Sequence, residues 1–160
     1  MESLRSFEDL ECWKACRRLR LFVSSEVVAK LPKEERFELA GQLRRAARST
    51  TANIAEGFGR FHYRDNYKFC SNARGSLFEV LDHLITANDD GYISESILLE
   101  GRALFESAKR LLNGYMSYLQ RAANDGDNLR EEPAAYRVTD ELDPSPENDD
   151  ECPAIITSNF

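Results

Sequence analysis

A chain of 160 residues, 42% hydrophobic and 31% charged, can bury one real core, so a single globular domain is expected. No run of about 18 apolar residues occurs, which argues against a transmembrane helix. The opening MESLRSFEDLECW carries acids where a secretory leader needs an apolar stretch, so a cytoplasmic protein with no membrane partner is expected. Its net charge of −7 hides an asymmetry. Residues 124–160 hold eleven acids and two bases, whereas residues 1–123 carry 19 bases against 17 acids. A nearly neutral body is thus joined to a strongly acidic tail.

Helical periodicity dominates the body. The first helix is expected over about 7–31, with Cys12, Cys16, Leu19, Val23 and Val27 as one apolar stripe. Ser6 suits its N-cap, and Pro32 ends it. The second spans about 33–58, with Phe37, Ala40, Leu43, Ala47, Ile54 and Phe58 on one face. It is rich in small residues that let a neighbouring backbone come close, and Gly57 and Gly59 stop it. The third covers about 64–87 on a stripe of Tyr67, Cys70, Ala73, Leu77, Leu81 and Leu84. Asn88-Asp89-Asp90-Gly91 then reads as a turn. Ser94 caps a fourth helix ending near Ala123, whose seam is expected at Ile97, Gly101, Leu104, Ala108, Leu111, Tyr115, Tyr118 and Ala122.

Short connections between long helices force sequential neighbours antiparallel. The expected architecture is therefore all-α, an antiparallel up-and-down four-helix bundle over residues 1–123. From residue 124 periodicity is lost and prolines arrive among acids, so 124–160 is expected to be a disordered acidic tail. Three roles stand open for it: a solubilising end, a competitor for basic surface, or a partner-binding peptide anchored by Ile155, Ile156 and Phe160.

Three stretches carry a resemblance: FEDLECW, LPKEERFELAGQLRRAARSTTANIAEGFGR and ARGSLFEVLDHLITANDDGYIS. Together they resemble a bacterial four-helix-bundle family. Some of its members are encoded by intervening sequences within large-subunit ribosomal RNA genes, and the accessory variability protein of diversity-generating retroelements is a relative. Thr50 and Thr51 stand where that family usually has isoleucine and proline, and Arg48 adds a charge where small or apolar residues are usual. The resemblance implies a homo-oligomer, a pentamer by analogy, and no enzymatic activity. For the retroelement branch it implies contact with RNA, or with a reverse transcriptase and its nucleic acid.

The most suggestive cluster is basic. Arg44, Arg45 and Arg48 fall within five residues of one helix, and Arg60, Arg64, Lys68 and Arg74 follow across the turn. Antiparallel packing is expected to merge them into one stripe. Guanidinium groups grip phosphates through paired, charge-assisted hydrogen bonds. Phe58, Phe61, Tyr63 and Tyr67 are interleaved, as stacking on unpaired bases requires. The competing reading pairs the arginines with Glu56, Asp65 or Glu79 and places the aromatics in the core. A second set, Gln42, Asn53, Glu56, Ser76 and Glu79, together with Arg45 and Arg74, suits a structural polar network between helices.

No catalytic group is assigned, because no nucleophile, base and oxyanion or metal site come together. Glu56 and Glu79 form the nearest approach to a carboxylate pair. No cofactor or metal is expected: Cys12 and Cys16, four apart, and the lone His62 and His83 lack zinc-site spacing. The four cysteines, Cys152 included, are expected to be free thiols. Leu10, Trp13 and Phe22, with Leu39, Ala46 and Thr50, read as apolar surface beyond the main stripes, which favours self-association. Two functions stand open: a non-enzymatic oligomeric scaffold binding RNA or DNA through its arginine-rich face, and a protein-binding adaptor with no nucleic-acid role.

Overall fold

The computed structural model describes residues 5–124, and among these it contains helices and turns but no strand. Four helices carry the fold: α1, Glu11–Phe22; α2, Leu39–Phe58; α3, Tyr63–Asp89; and α4, Glu95–Asn124. They form an antiparallel up-and-down bundle in which α1 and α3 each pack on both α2 and α4. The tail beyond Asn124, expected to be disordered, lies outside the described residues.

The stripe of the first helix becomes core, and so do four of the six positions of the third, while Tyr67 and Leu81 are half-buried and their neighbours Asn66 and Val80 take the core places. Cys12, Cys16, Leu19, Val23 and Val27 are all buried, as are Cys70, Ala73, Leu77 and Leu84. Turns at the expected places join the helices. After α3 the chain reverses at Gly91, the one described residue of positive φ (74°), while Tyr92 and Ile93 both return their N–H groups to the Ala87 carbonyl.

The first segment is more broken than periodicity suggests. Ser6 does cap, its hydroxyl accepting from the Glu8 amide while Asp9 accepts from the Ser6 amide. It caps a 3-10 turn, Phe7–Asp9, rather than α1, because Leu10 turns extended (φ −66°, ψ 122°) between them. Beyond Phe22 the chain widens into a π-turn, Val23–Val27, then tightens into a 3-10 turn, Val28–Lys30. The wide turn keeps Val23, Val27 and Val28 all in the core.

The second helix starts at Leu39, not near residue 33. Lys33–Arg36 form a separate 3-10 turn, and Glu38 (φ −91°, ψ −111°) leaves helical space before α2 begins. Glu35 determines the start: one carboxylate oxygen accepts the Leu39 amide (3.1 Å) and the other accepts the Tyr92 hydroxyl (3.1 Å). Phe37, expected in the core, is therefore 79% exposed. Its ring lies under the Arg36 guanidinium instead.

The seam of α4 is displaced by one residue from the expected one. Leu98, Gly101, Phe105, Ala108, Leu112, Met116, Leu119 and Ala123 are buried, so only Gly101 and Ala108 are shared with the expectation. The helix has apolar pairs at 97–98, 104–105, 111–112 and 118–119, and either member fits a seam. Polarity decides between them at the far end. The Tyr115 hydroxyl takes a hydrogen bond from Asn66, and Tyr118 lies at the surface, leaving Met116 and Leu119 for the dry centre.

Two glycines sit where helices touch. A Cβ on Gly57 would fall 2.7 Å from Asn66 Oδ1 and 2.9 Å from Phe69 Cβ; one on Gly101 would fall 2.9 Å from Leu84 Cδ1 and 3.2 Å from Phe22. Gly114, in mid-α4, has nothing within 4 Å of that position. Gly57→Ala should therefore destabilise the bundle by about 1–3 kcal/mol through overpacking. Gly114→Ala should stabilise it by about 0.5–1 kcal/mol through helix propensity alone. Urea denaturation of the three proteins checks both signs.

Candidate nucleic-acid interface

The seven basic residues do not form one stripe. The seam between α2 and α3 is filled by small side chains and directed hydrogen bonds, which leaves no room for guanidinium groups. Ser76 Oγ donates to Ser49 Oγ (2.8 Å), and Gly57 lies against Asn66 and Phe69. The cations are pushed to the two outer flanks of the pair.

On α2, Arg44, Arg48 and Thr51 are spaced four and three apart and so share one flank. That flank faces α1, because Arg20 Nη1 donates to Thr51 Oγ1 (3.1 Å). Arg45 is exposed one position round from Arg44. None of the three α2 arginines forms an ion pair among the described residues. Arg17 stands three residues before Arg20 on α1 and is also exposed and unpaired by the same measure. The pair Arg17 and Arg20 was missed in the sequence, although its i, i+3 spacing beside an apolar stripe was readable.

On α3 the remaining cations diverge. Arg60, just beyond α2, is tied to Glu56 (2.5 Å) and lies over the Phe69 ring at 4.7 Å. Lys68 pairs with Asp65 (3.1 Å) but stays largely exposed. Arg64 and Lys68 line a groove with Tyr67 and with Leu119, Gln120, Ala123 and Asn124 of α4. Arg74 is exposed further along the same flank and has no ion pair among the described residues. Of the interleaved aromatics, Phe61 is exposed, while Phe58, Tyr63 and Tyr67 are half-buried against the core.

The expected polar network is only partly assembled. Asn53 Nδ2 donates to the Ser49 carbonyl (2.8 Å) and hydroxyl (3.0 Å), and Ser49 in turn meets Ser76. Ser49, the hub, was not singled out from the sequence. Glu56 turns to Arg60 instead, Glu79 stands 3.6 Å from His83, and Gln42, Arg45 and Arg74 show no side-chain hydrogen bond that joins them to the set. The stronger inter-helix link was also missed: buried Asn66 donates to the Tyr115 hydroxyl (2.9 Å) and accepts from the Cys70 thiol (3.4 Å). Asn66 lies on the core stripe of α3, four residues before Cys70, and that register was its only signal.

Thr50 and Thr51 are buried, and each returns its hydroxyl to a carbonyl three residues back, Ala47 at 2.8 Å and Arg48 at 3.1 Å. Leu10, Phe22, Leu39, Ala46 and Thr50, expected as surplus surface, all belong to the protomer's own core, and Trp13 is half-buried edge-on to Phe7. The second stripe on each helix exists because a bundle helix touches two neighbours, not one. Large apolar side chains do remain exposed elsewhere, including Leu21, Phe61 and Leu99.

Cys12, Cys16 and Cys70 are buried together in the core. Among the described residues no group of histidines, cysteines or carboxylates is arranged to hold a metal ion, and no helix is long and apolar enough to cross a membrane.

A family model described as 23S rRNA-intervening sequence protein matches residues 8–114, which is α1 through most of α4. No curated protein matches the chain.

Burial pushes each of the three core thiols up from 9.0 to about 12. A raised thiol pKa favours the folded, protonated form. The stability this contributes is full below the unfolded pKa and is lost as pH rises from about 9 towards 12. Thermal melts should therefore fall through that window, and replacing the three cysteines by alanine should flatten the decline. At pH 8 a thiol reagent such as Ellman's should leave all three unmodified until denaturant is added.

Proposed function

The chain belongs to the 23S rRNA-intervening sequence protein family, and from that premise we propose that it is a non-enzymatic oligomeric scaffold that binds RNA through the arginine flank of α2 beside α1. The observation that carries this is the set Arg44, Arg45 and Arg48, exposed or half-exposed and without an ion pair among the described residues. An arginine already bound to a carboxylate must give it up before taking a phosphate; these three have nothing to give up. They project from a rigid helix backed by Leu43, Ala46 and Ala47, so little ordering is lost on binding. The family description adds an association with ribosomal RNA genes.

Self-association into a closed ring, a pentamer as the resemblance implies, would repeat the flank around an axis and add avidity without new contacts. Exposed Leu21, on the α1 side of that flank, and exposed Phe61 and Leu99 support an assembly. The same exposed side chains favour the alternative, a protein-binding adaptor with no nucleic-acid role.

Light scattering should report a discrete oligomer at micromolar concentration. The full-length protein should bind a 20-base-pair RNA duplex with an affinity that falls steeply with salt. Arg44→Gln with Arg48→Gln should weaken it, reducing the log–log salt slope by about 1.8 if both contact phosphate, at roughly 0.9 per contact. A monomer in solution would refute the ring. Absence of any salt-sensitive binding at about 50 mM salt would refute the RNA reading and favour the protein adaptor.

A further inference from the structure

The flank of α3 that faces α4 has a different chemistry from the arginine flank of α2. Residues 64, 67, 71, 74 and 78 are spaced three and four apart, so Arg64, Tyr67, Ser71, Arg74 and Phe78 form one continuous outward stripe. All but half-buried Tyr67 are exposed, and Phe78 is 49% exposed despite its T-shaped contact with Phe105. On α4 the facing positions repeat the same spacing in reverse: Asn124, Gln120, Ser117, Asn113 and Arg110, all exposed. The two stripes border one furrow. At one end it deepens into the groove of about 330 Å³ lined by Arg64, Tyr67, Lys68, Gln120 and Asn124.

The furrow is also free of acids. Between residues 66 and 78 of α3, and from residue 107 to the end of α4, there is no aspartate or glutamate. The acids stand at its ends: Asp65, held by Lys68 at 3.1 Å, and Glu106, four residues before Arg110 and paired with Lys109. Arg64, Arg74 and Arg110 have no ion pair among the described residues. In a chain of net charge −7, this leaves a local surface that carries positive charge and side-chain amides, with acids only at its ends.

We infer that this furrow binds a short stretch of single-stranded RNA, with unpaired bases on Tyr67 and Phe78 and phosphates at Arg64 and Arg74. This inference rests on the RNA reading and deepens it, by assigning unpaired RNA to a surface other than the arginine flank. Aromatic faces accept any base, but only one that is out of a duplex stack, so the Tyr67–Phe78 spacing selects against paired RNA. Arg64 one turn before Tyr67, and Arg74 between Tyr67 and Phe78, neutralise the adjoining phosphates. The amides and hydroxyls of Asn113, Ser117 and Gln120 offer donors and acceptors along the opposite wall, which suits base edges and the ribose 2′-hydroxyl and favours RNA over DNA. The α2 flank has no such platform: Gly41 before its arginines and Ala52 and Ala55 after them continue the same face, so it can hold a backbone but not read a base. The eleven steps from Tyr67 to Phe78 span about 16 Å of helix, at 1.5 Å per residue, which sets the scale of the segment held.

The test uses the full-length protein and fluorescence anisotropy with a 12-nucleotide oligoadenylate RNA, the same sequence as DNA, and a 12-base-pair RNA duplex. The furrow variant is Arg64→Gln, Arg74→Gln and Phe78→Leu, with circular dichroism melts confirming that the bundle is intact. If the melt shows it is not, Arg64→Gln with Arg74→Gln alone replaces it. The expected result is about tenfold weaker binding of single-stranded RNA by the furrow variant. Its salt slope should be smaller by about 1.4, and duplex binding should change by less than about twofold. Arg44→Gln with Arg48→Gln should show the opposite pattern. Equal loss on both ligands overturns the inference, as does binding of the DNA strand as tightly as the RNA. A wild-type protein that binds duplex but not single strand also overturns it and leaves the α2 flank reading intact. A protein that binds neither sinks both.

Discussion

The bundle depends on how closely α2 and α3 approach. Gly57 has no room for a methyl group because Asn66 and Phe69 fill the space, and Ser49 and Ser76 touch through their hydroxyls where larger residues would hold the helices apart. This tight seam has two consequences. It lets Asn66, packed against Gly57 of α2, reach Tyr115 on α4 and Cys70 on its own helix, so one side chain meets three helices. It also excludes long charged side chains from the middle of the α2–α3 pair. The arginines that cluster in sequence are therefore separated in space by this tight seam.

That separation shapes the surface. One flank presents Arg44 and Arg48 beside α1, over small and aliphatic residues. The other presents Arg64 and Arg74 beside α4, with Tyr67 between them and Phe78 one turn beyond Arg74. Both flanks belong to long helices anchored by buried residues at nearly every turn, so their side chains are carried on a rigid frame. Exposed ion pairs such as Lys68–Asp65 and Lys14–Glu11 decorate the frame but contribute little to it, about 0.3–0.5 kcal/mol each.

Thr50 and Thr51 show how the frame absorbs polar residues at buried positions. Each satisfies its hydroxyl on the carbonyl of the preceding turn, so neither leaves an unpaired group in the core. Thr51 has a lone pair left over, and Arg20 uses it to link α1 to α2. His83 is the exception. Its Nε2 is buried without a hydrogen bond among the described residues and stands 3.6 Å from Glu79.

Helix number, order and the cores of the first and third helices were legible in the sequence, because apolar residues at steps of three and four can lie dry only on one face of a helix. The turn at Gly91 was legible because positive φ is inexpensive only for glycine. Three things were not. The start of α2 was set by Glu35, whose carboxylate bridges to Tyr92, a residue 57 positions away that no local window contains. The seam of α4 was ambiguous because adjacent apolar residues offered two stripes, and the choice fell to whichever tyrosine hydroxyl found a polar partner. The arginine surface was misread as one stripe because spacing along a chain gives each residue's angle on its own helix but not which neighbour that angle faces. Which side of α2 meets α1, and which side of α3 meets α4, is a property of the packed bundle, and only tertiary contacts decide it.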